Sequence, residues 1–572
     1  MRPTDAFVTD PAIGAPRSAP AARRASVSRA RNPWSWCAVG LALIVLAACG
    51  GGAPDGSAGG DTEPTEKAVV VAYPVDIEGV NELTTQSTAV NNALFYHALF
   101  LPLLEELADY QEGPPTLAPR LAERYEFSDD QKQLTFYLRD DVEWSDGVPV
   151  TAEDVRFTWQ AHTSPDVAWS FAEVKAHITD VEVVDPHTVR FHFDRVYGAQ
   201  VLDANLGVVL PKHAWSQLPF AEWPGNGQWF LDNLVVNGPF ALDSWEPQQR
   251  FVLVRNPKYF EPELPKLDRV VFEIVRDPSA QVAMLRSGAA HLVEFVPPAQ
   301  ARELEAADDT YLDTYIPRFF YYLMWNVRHP ALADATTRRA LTHGIDRTAI
   351  IESLFYGYAT PAHSPFASDV WAHNDTIEPW PYDPSRAREL LAEAGWQDSD
   401  GDGVVERNGE PLRFQLMTNS ENDLRRDIVV MIQDQLKRIG VDVETRIMEF
   451  NAMFGPLQQG EFDGVVLAMA MDTSLNTDYF FHTRGIDEGY NWGGFSNREL
   501  DDVIDAIESA PSPAEAKPLF DRLQEILHEE QPMVFLYEGL RLCGARNELQ
   551  DIQPNAINSF ANIRHWRLVE GD

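Results

Sequence analysis

Short strand-like runs alternate with amphipathic helical segments from Lys67 to the end of the chain, and this alternation limits the fold more than any other feature. Residues 69–73 (VVVAY) indicate a buried strand, and apolar and polar residues alternate in 134–138 and 188–193. Apolar residues recur at helical spacing in 385–394, 428–439 and 514–528. Strands that alternate with helices predict an α/β body with some antiparallel hairpins.

The size and charge of the chain narrow its function. Its 572 residues exceed what one hydrophobic core usually supports, and they suggest about three domain-sized units. The formal net charge is −41, which argues against nucleic acid or anionic lipid as the main partner. The simplest interpretation of this charge is solubility, although it could also attract cationic solutes.

The N-terminus has the pattern of an export signal. Arg23, Arg24, Arg29 and Arg31 precede an apolar stretch at 34–48, which is short for a membrane span. The stretch ends in Leu-Ala-Ala-Cys49 followed by three glycines, which resembles a bacterial lipobox. We therefore expect a lipoprotein signal peptide over residues 1–48 and lipidation at Cys49; an uncleaved membrane anchor is the alternative. The basic region is long, so the start codon is expected downstream, near Val27.

Two further expectations follow from this N-terminal pattern. The first is a flexible tether after the signal, and the second is the absence of an intrachain disulfide. Residues 49–67 are rich in Gly, Ala, Pro and acid, which predicts a flexible tether. Besides Cys37 in the signal and Cys49, the chain has only Cys543. If Cys49 is acylated, the mature protein has no pair for an intrachain disulfide. The core itself must then provide the stability.

Five segments, in order, resemble the bacterial extracellular solute-binding proteins of family 5, the oligopeptide- and dipeptide-binding type. The first combines Trp-Ser-Asp-Gly at 144–147 with Thr-Ala-Glu-Asp-Val at 151–155, where Thr151 and Asp154 predict a capping box. The other four segments are 237–240 with 255–260 (NGPF, RNPKYF), 338–347 with 357–361 (RRAL…GIDR, GYATP), 382–396 (YDP…LLAEAGW) and 497–501.

This resemblance implies an α/β fold of the periplasmic-binding-protein type: a two-lobed clamp (type II) with an extra domain inserted in the N-terminal lobe. Two crossover strands, near 322–326 and 537–541, would act as the hinge. Lobe I would be built from three separate stretches of chain, 68–112, 231–324 and 539–572. The inserted domain would span 113–230, and lobe II would span 325–538.

The resemblance also suggests where a ligand would bind. In peptide-binding relatives a carboxylate for the peptide amino group follows an apolar strand after a phrase like Gly-Glu-Phe-Asp, here residues 460–463. Asp472 is therefore the candidate amine anchor, with a loop-capping role as the alternative. Ala468, Met469 and Ala470 would offer main-chain groups to the peptide. The strand lacks the common Gly-Trp and the following Asp-Pro, which leaves the ligand class open.

Three further residues are candidates for the ligand site. Asn491 and Trp492 lie in a Gly-rich stretch that is near the cleft in relatives, and Trp492 could stack on a ligand or pack in the core. Phe100 falls where relatives carry a loop lining the first lobe.

An Asp-rich turn resembles the first half of a calcium loop. Asp398, Asp400 and Asp402 alternate before Gly403, but the twelfth position is Gly409 rather than Glu. The interpretations are a weak structural calcium site or a solvated turn.

The resemblance and the motif search together define the functional hypothesis. The chain has neither a Gly-x-Ser-x-Gly elbow nor a His-Glu-x-x-His helix, so a secreted hydrolase is the disfavoured alternative. We expect a lipid-anchored substrate-binding protein of an ABC importer, on the outer or periplasmic face of the membrane. It would be a monomer without cofactor or nucleic acid, passing peptides to permease subunits. Within the same fold, an oligosaccharide, a nickel chelate or another small solute is the alternative ligand.

Overall fold

The protein was analysed as a computed structural model that describes residues 67–85, 89–471, 473–510 and 512–569. The predicted lipidation site Cys49, the signal and most of the tether lie outside these residues. None of the helices in the described residues combines the length and the apolar character that crossing a bilayer requires.

The strands occur throughout the described chain. They are β1 Ala68–Tyr73, β2 Leu104–Glu106, β3 Leu117–Pro119, β4 Ala122–Phe127, β5 Gln133–Leu138, β6 Ile178–Asp185, β7 Thr188–Phe193, β8 Phe240–Glu246, β9 Arg250–Arg255, β10 Arg269–Ile274, β11 Leu292–Val293, β12 Thr310–Tyr315, β13 Phe319–Trp325, β14 Ala359–Thr360, β15 Glu406–Arg407, β16 Glu410–Pro411, β17 Arg413–Asn419, β18 Asp442–Met448, β19 Gly464–Ala470, β20 Met533–Gly539, β21 Arg541–Arg546, β22 Leu549–Gln550 and β23 Arg567–Leu568.

The α-helices lie between them. They are α1 Ala89–Asn92, α2 Ala152–Thr163, α3 Gln200–Asn205, α4 Lys212–Trp215, α5 Gly227–Asp232, α6 Pro278–Ser287, α7 Pro298–Glu305, α8 Ala335–Gly344, α9 Arg347–Phe355, α10 Pro384–Glu393, α11 Asp423–Lys437, α12 Phe450–Gln459, α13 Asp478–Phe481, α14 Gly485–Glu488, α15 Arg498–Ser509 and α16 Pro513–Glu530. A π-helical turn spans Ala93–Leu99, and short 3-10 turns span Glu82–Thr84, Ala172–Lys175, Phe220–Glu222 and Ile563–His565.

Local sequence signals explain several of these boundaries. The predicted start of α2 is confirmed, because the Thr151 backbone N–H donates to the Asp154 carboxylate at 2.8 Å in a capping box. Helix α10 begins at Pro384, and the Asp383 carboxylate accepts hydrogen bonds from the backbone of residues 385 and 386. The predicted strands at 69–73, 134–138 and 188–193 and the three predicted helices are likewise confirmed.

Two large sheets define two lobes. The first lobe contains a seven-stranded sheet in the order β12-β21-β11-β1-β10-β9-β8 and a four-stranded antiparallel sheet in the order β4-β5-β7-β6. Side chains of these two sheets share one continuous core. The second lobe contains a six-stranded sheet in the order β14-β20-β13-β19-β17-β18.

The six-stranded sheet is buried on both faces. Successive residues of its central strand β13 (FFYYLMW) alternate between two cores: Leu323 and Trp325 belong to one, whereas Tyr322 and Met324 belong to the other. A strand covered on both faces needs a continuous apolar run, which explains this sequence.

The chain passes between the lobes twice. It leaves the first sheet after Tyr315 and enters the second at Phe319, and it returns through Leu540, the single residue between β20 and β21. The first crossing therefore lies at residues 316–318, upstream of the predicted position at 322–326. A boundary between 324 and 325 would divide β13, which lies wholly in the second sheet.

Candidate ligand-binding site

Strand β19 contains Ala468, Met469 and Ala470, the residues whose main-chain groups are predicted to bind the ligand. Its ladder with β13 runs from Gly464 opposite Trp325 to Ala470 opposite Phe319. Its ladder with β17 covers only Gly464 and Val465. Among the described residues, the last ones of β19 thus have a neighbouring strand on one side only.

The side chains at this end of β19 are directed into the lobe. Ala468 is 8% exposed and packs in one core, and Met469 is 2% exposed and packs in the core on the opposite face. Ala470 is half-buried. A ligand at this edge would therefore contact backbone N–H and C=O groups rather than side chains, which suits an extended peptide.

The Gly-Glu-Phe-Asp phrase before β19 positions the strand. Gly460 ends helix α12 at φ +66°, a left-handed conformation that favours glycine. The Asn326 side-chain amide donates to the carbonyl oxygens of Gly460 at 2.9 Å and Phe462 at 2.7 Å. The Asp463 carboxylate accepts from the Gln415 backbone N–H at 2.8 Å. The phrase therefore has a structural role in this chain.

An ion pair links the lobes next to the end of β19. Arg318 lies in the first crossing, and its Nη2 is 2.8 Å from the Glu106 carboxylate on β2 of the first lobe. Thr473, just after β19, accepts from Arg318 Nη1 at 2.5 Å and donates to Glu106 at 2.9 Å. The guanidinium carbon of Arg318 also lies 5.1 Å from the centre of the Tyr110 ring.

The candidate anchor Asp472 lies outside the described residues. The residues on both sides are described: the Met471 backbone N–H donates to the Arg318 carbonyl oxygen at 2.8 Å, and Thr473 belongs to the ion-paired network. The segment that contains Asp472 is thus tied to the crossing at both ends. The role of Asp472 as an amine anchor stays a prediction.

Asn491 and Trp492 are both buried in the second lobe. The Asn491 amide donates to the carbonyl oxygen of Phe495 at 2.7 Å and to that of His482 at 3.2 Å, and its oxygen accepts from the Phe495 N–H at 3.1 Å. Trp492 is 3% exposed and packs edge-on against Tyr490 at 5.5 Å between ring centres. These contacts account for both residues within the lobe, and their contact with a ligand stays a prediction.

Phe100 belongs to the core of the first lobe. It is 1% exposed, follows the π-helical turn, and makes an edge-on contact with Trp215 at 5.9 Å between ring centres. Its role in lining a ligand cleft also stays a prediction.

The Asp-rich turn brings four carboxylates together. Oxygen atoms of Asp398, Asp400, Asp402 and Glu406 lie within 4.8 Å of one another, the first three side chains being exposed. Backbone N–H groups of Gly401 and Gly403 already donate to Asp398, and those of Asp402 and Val404 donate to the carboxylates two residues before them, as in Asx turns. The arrangement fits a solvated turn, and calcium binding stays a prediction.

Sequence reasoning missed a buried polar cluster at the carboxyl ends of three strands in the first sheet. Glu294 follows β11, is 2% exposed and accepts a hydrogen bond from Ser559. Tyr315 lies at the end of β12, with its hydroxyl 2.9 Å from that of Ser559. Burial raises the pKa of Glu294 to about 7, against the opposing effects of the Ser559 hydrogen bond, the nearby Tyr73 hydroxyl and Arg541.

This cluster lies on the side of the first sheet where ligands usually bind. Glu294 and Tyr315 follow the carboxyl ends of their strands, and Tyr73 ends the parallel strand β1. The guanidinium of Arg541, which begins β21, lies 5.2 Å from the ring centre of Phe295 in the first lobe and 6.0 Å from that of Phe319 in the second. Only the tertiary fold joins these residues, which come from three distant parts of the chain, so local motifs could not reveal them.

Comparison with known proteins agrees with this architecture. The family model described as bacterial extracellular solute-binding proteins, family 5 Middle, matches residues 116–492. The chain is 28% identical over 440 residues to the oligopeptide-binding protein AppA of Bacillus subtilis, covering 76% of this chain and 80% of AppA. It is 26% identical over 523 residues to the glutathione-binding protein GsiB of Escherichia coli, covering 89% of this chain and 93% of GsiB.

Solved structures show the same fold. AppA from Bacillus subtilis in complex with a nonapeptide has a TM-score of 0.71 at 26% identity, covering 88% of this chain and 100% of that chain. NikA from Brucella suis in complex with Fe(III)-EDTA has a TM-score of 0.76 at 21% identity, covering 87% and 99%, and this likeness bears on the fold alone. The chain therefore belongs to the bacterial extracellular solute-binding proteins of family 5, with the α/β two-lobed clamp fold of periplasmic binding proteins.

Proposed function

We propose that this protein captures peptides between its two lobes and delivers them to the permease of an ABC importer, without chemical conversion. The proposal rests on the end of β19, beside the first crossing between the lobes. There, among the described residues, the strand has a neighbouring strand on one side only. An extended peptide can pair with such an edge through its main chain, largely independently of its side chains. A protein that imports varied peptides needs this kind of recognition.

The relatives support a peptide ligand. AppA is an oligopeptide-binding protein whose structure holds a nonapeptide, and at 26% identity that structure matches 88% of this chain. GsiB is a glutathione-binding protein. A carboxylate at Asp472 would pair with the free amino group of the peptide, which would fix the register of the peptide along β19.

Closure of the lobes would complete the site. The lobes are joined by two short crossings, residues 316–318 and Leu540, and a rotation at these positions would open or shut the cleft as in hinge-closing proteins. In this arrangement the network of Arg318, Glu106 and Thr473 favours the shut form, because it links the first lobe to the crossing and to the segment after β19 in the second lobe.

Calorimetric titration of the purified body, residues 67–572, with trialanine tests the ligand class. We expect trialanine to bind and N-acetyl-trialanine to bind at least about tenfold more weakly, because acetylation removes the charge that an anchoring carboxylate would pair with. Asp472→Asn should remove this difference, whereas Asp434→Asn, at an exposed ion pair on α11, should preserve it.

The outcomes separate the elements of the proposal. Equal affinity for the free and acetylated peptides would refute the anchor at Asp472 but not peptide binding. If a panel of short peptides fails to raise the melting temperature while an oligosaccharide or a nickel chelate does, the peptide assignment is wrong. Recovery of a bound peptide in cleaved form would refute binding without conversion.

We also propose that Cys49 carries the lipid that holds the protein at the outer face of the membrane, with residues 50–67 as the tether. In cells, Cys49→Ser should move the protein from the membrane fraction to the soluble exported fraction. Unchanged membrane association of that variant would refute lipid anchoring at Cys49.

A further inference from the structure

A cavity of about 210 Å³ lies in the second lobe beside the crossings, distinct from the edge of β19. Phe319 and Phe320 of β13 and Tyr537 of β20 line its apolar side. Phe319 and Phe320 are also the ladder partners of Ala470 and Met469 on β19. The cavity therefore lies one strand away from the proposed peptide edge.

One wall of the cavity lies close to chain that comes from the first lobe. The segment 360–368 forms this wall. Just beyond it, the Trp371 backbone N–H donates to the carbonyl oxygen of Tyr110 at 2.9 Å. Tyr110 follows β2 of the first lobe and its ring packs in a core of the second lobe, so the segment that lines the cavity lies beside the junction of the two lobes.

The charged groups that line the cavity are all acidic. Its lining includes the carboxylates of Asp375, Glu378 and Glu538, and no lysine or arginine is among the described residues that line it. Glu538 is held in place by Ser368, whose backbone N–H and hydroxyl donate to its two oxygens at 2.6 and 2.7 Å. Its negative charge therefore has a fixed position at the cavity.

Of the two histidines in the lining, His363 adds a hydrogen-bond acceptor. His363 Nε2 lies 3.1 Å from the Asn374 carbonyl oxygen, and His373 Nδ1 lies 3.0 Å from the Phe366 carbonyl oxygen. A ring nitrogen that faces a carbonyl oxygen must be the protonated one, so Nδ1 of a neutral His363 ring is an acceptor, whereas Nε2 of His373 lies 3.9 Å from the Asp375 carboxylate. Burial keeps His363 neutral by lowering its pKa to about 4.

Two arginines near the cavity, Arg347 and Arg541, already interact with other groups. The Arg347 guanidinium donates to the carbonyl oxygens of Ala362 at 2.6 Å and Phe535 at 3.0 Å. Arg541 lies over the rings of Phe295 and Phe319 and does not belong to the cavity lining. The cavity thus combines an apolar floor with carboxylate and imidazole acceptors.

The volume favours one side chain as the occupant. It is far larger than the roughly 10–15 Å³ that a single water needs, and it is below the ~300–1,000 Å³ of pockets that hold whole small molecules. Lysine and arginine match the lining, because their alkyl stems cover apolar surface while the charged end reaches the polar rim. We propose that this cavity is a specificity pocket for a lysine or arginine side chain of the bound peptide.

This inference rests on the proposed peptide function, and matched peptides test it. The probes are three alanine tripeptides with lysine at position 1, 2 or 3, their norleucine counterparts, which keep the stem but lack the charge, and their glutamate counterparts. Calorimetry should show that lysine is preferred over norleucine by about tenfold or more at one position, and that glutamate binds most weakly there.

Two variants assign the preference to the cavity. Glu538→Gln and Glu378→Gln should each reduce the lysine preference at least about threefold, and the norleucine peptide should bind as in the wild type. Glu389→Gln, at an exposed ion pair on α10, is the matched control and should keep the full preference. The unchanged norleucine affinity also shows that each variant is folded.

Several results would overturn the inference. Equal affinity for lysine and norleucine peptides at every position would refute it while leaving peptide binding intact. A lysine preference that survives both cavity variants would place the pocket elsewhere. A preference that EDTA abolishes would indicate a bound metal ion instead. If all the tripeptides fail to bind, the proposed function itself fails and the pocket assignment with it.

Discussion

Arg318 in the first crossing and Glu106 of the first lobe lie 2.8 Å apart, measured between a guanidinium nitrogen and a carboxylate oxygen. Their side chains are only 13% and 23% exposed, so solvent screens this pair less than the surface ion pairs of the chain. Thr473 bonds to both partners and connects them to the segment that follows β19. The contact therefore couples the relative position of the lobes to the proposed ligand site.

Weakening this pair should favour the open form. In Glu106→Gln the charge is lost and the shape is kept, so the shut form loses about 0.5–1.5 kcal/mol relative to the open one. Peptide affinity should fall by about three- to tenfold, because the ligand must then supply that free energy. Without ligand, small-angle scattering should show a larger radius of gyration for Glu106→Gln than for the wild type. Glu389→Gln serves as the control. Unchanged peptide affinity and unchanged scattering in Glu106→Gln would contradict this prediction.

Glu294 should make stability depend on pH between its ordinary pKa of 4.5 and its raised pKa of about 7. In this window the unfolded chain ionises Glu294 while the folded chain keeps it protonated, so the stability present below pH 4.5 is lost as pH rises through about 7. Glu294→Gln cannot ionise, so its melting temperature relative to the wild type should be higher at pH 8 than at pH 5.

The groups that face Glu294 do not compete in this window. Burial raises the pKa of the Tyr73 and Tyr315 hydroxyls and of the Cys543 thiol above their ordinary values, and Arg541 stays charged. Scanning calorimetry of both proteins at the two pH values measures the difference. A melting-temperature difference that does not change with pH would show that Glu294 does not titrate in this window.

Asn491 should contribute to stability through its three hydrogen bonds to the backbone of His482 and Phe495. Asn491→Ala leaves those buried groups unpaired, so we expect a loss of about 2–4 kcal/mol in the free energy of unfolding. Urea denaturation measures this loss. A loss below about 1 kcal/mol together with a large drop in peptide affinity would instead favour direct ligand contact.

Arg338, from one of the family segments, should act in folding rather than binding. It is 2% exposed, and its guanidinium donates to the carbonyl oxygens of Glu530 and Gln531 at the end of α16 and of Leu332 and Ala333 before α8. Lysine cannot reproduce this forked geometry, so Arg338→Lys should lower the free energy of unfolding by about 2–4 kcal/mol. The neighbouring Arg339→Lys is the control, and peptide affinity should persist in both; equal stability of the two variants would refute the assignment.

The family segments could be located from the sequence, but their roles came from the structure. The Asp383-Pro384 pair and the Thr151–Asp154 capping box predicted helix starts correctly, because a cap involves residues within three positions of one another. The buried contacts of Arg338 and Arg347 with distant carbonyl groups have no comparable local signal. The first crossing was misplaced by several residues because the aromatic run of β13 resembles any buried strand.

The amino-acid sequence by itself determined the alternation of strands and helices and the membership of family 5, since periodicity, capping and ordered motifs act over a few residues each. Only the tertiary structure decided which groups meet: Glu106 with Arg318, Glu294 with Ser559, and the acidic cavity beside β13. These contacts join residues up to 265 positions apart in the chain. Their proximity depends on how the sheets pair and pack, which local patterns do not specify.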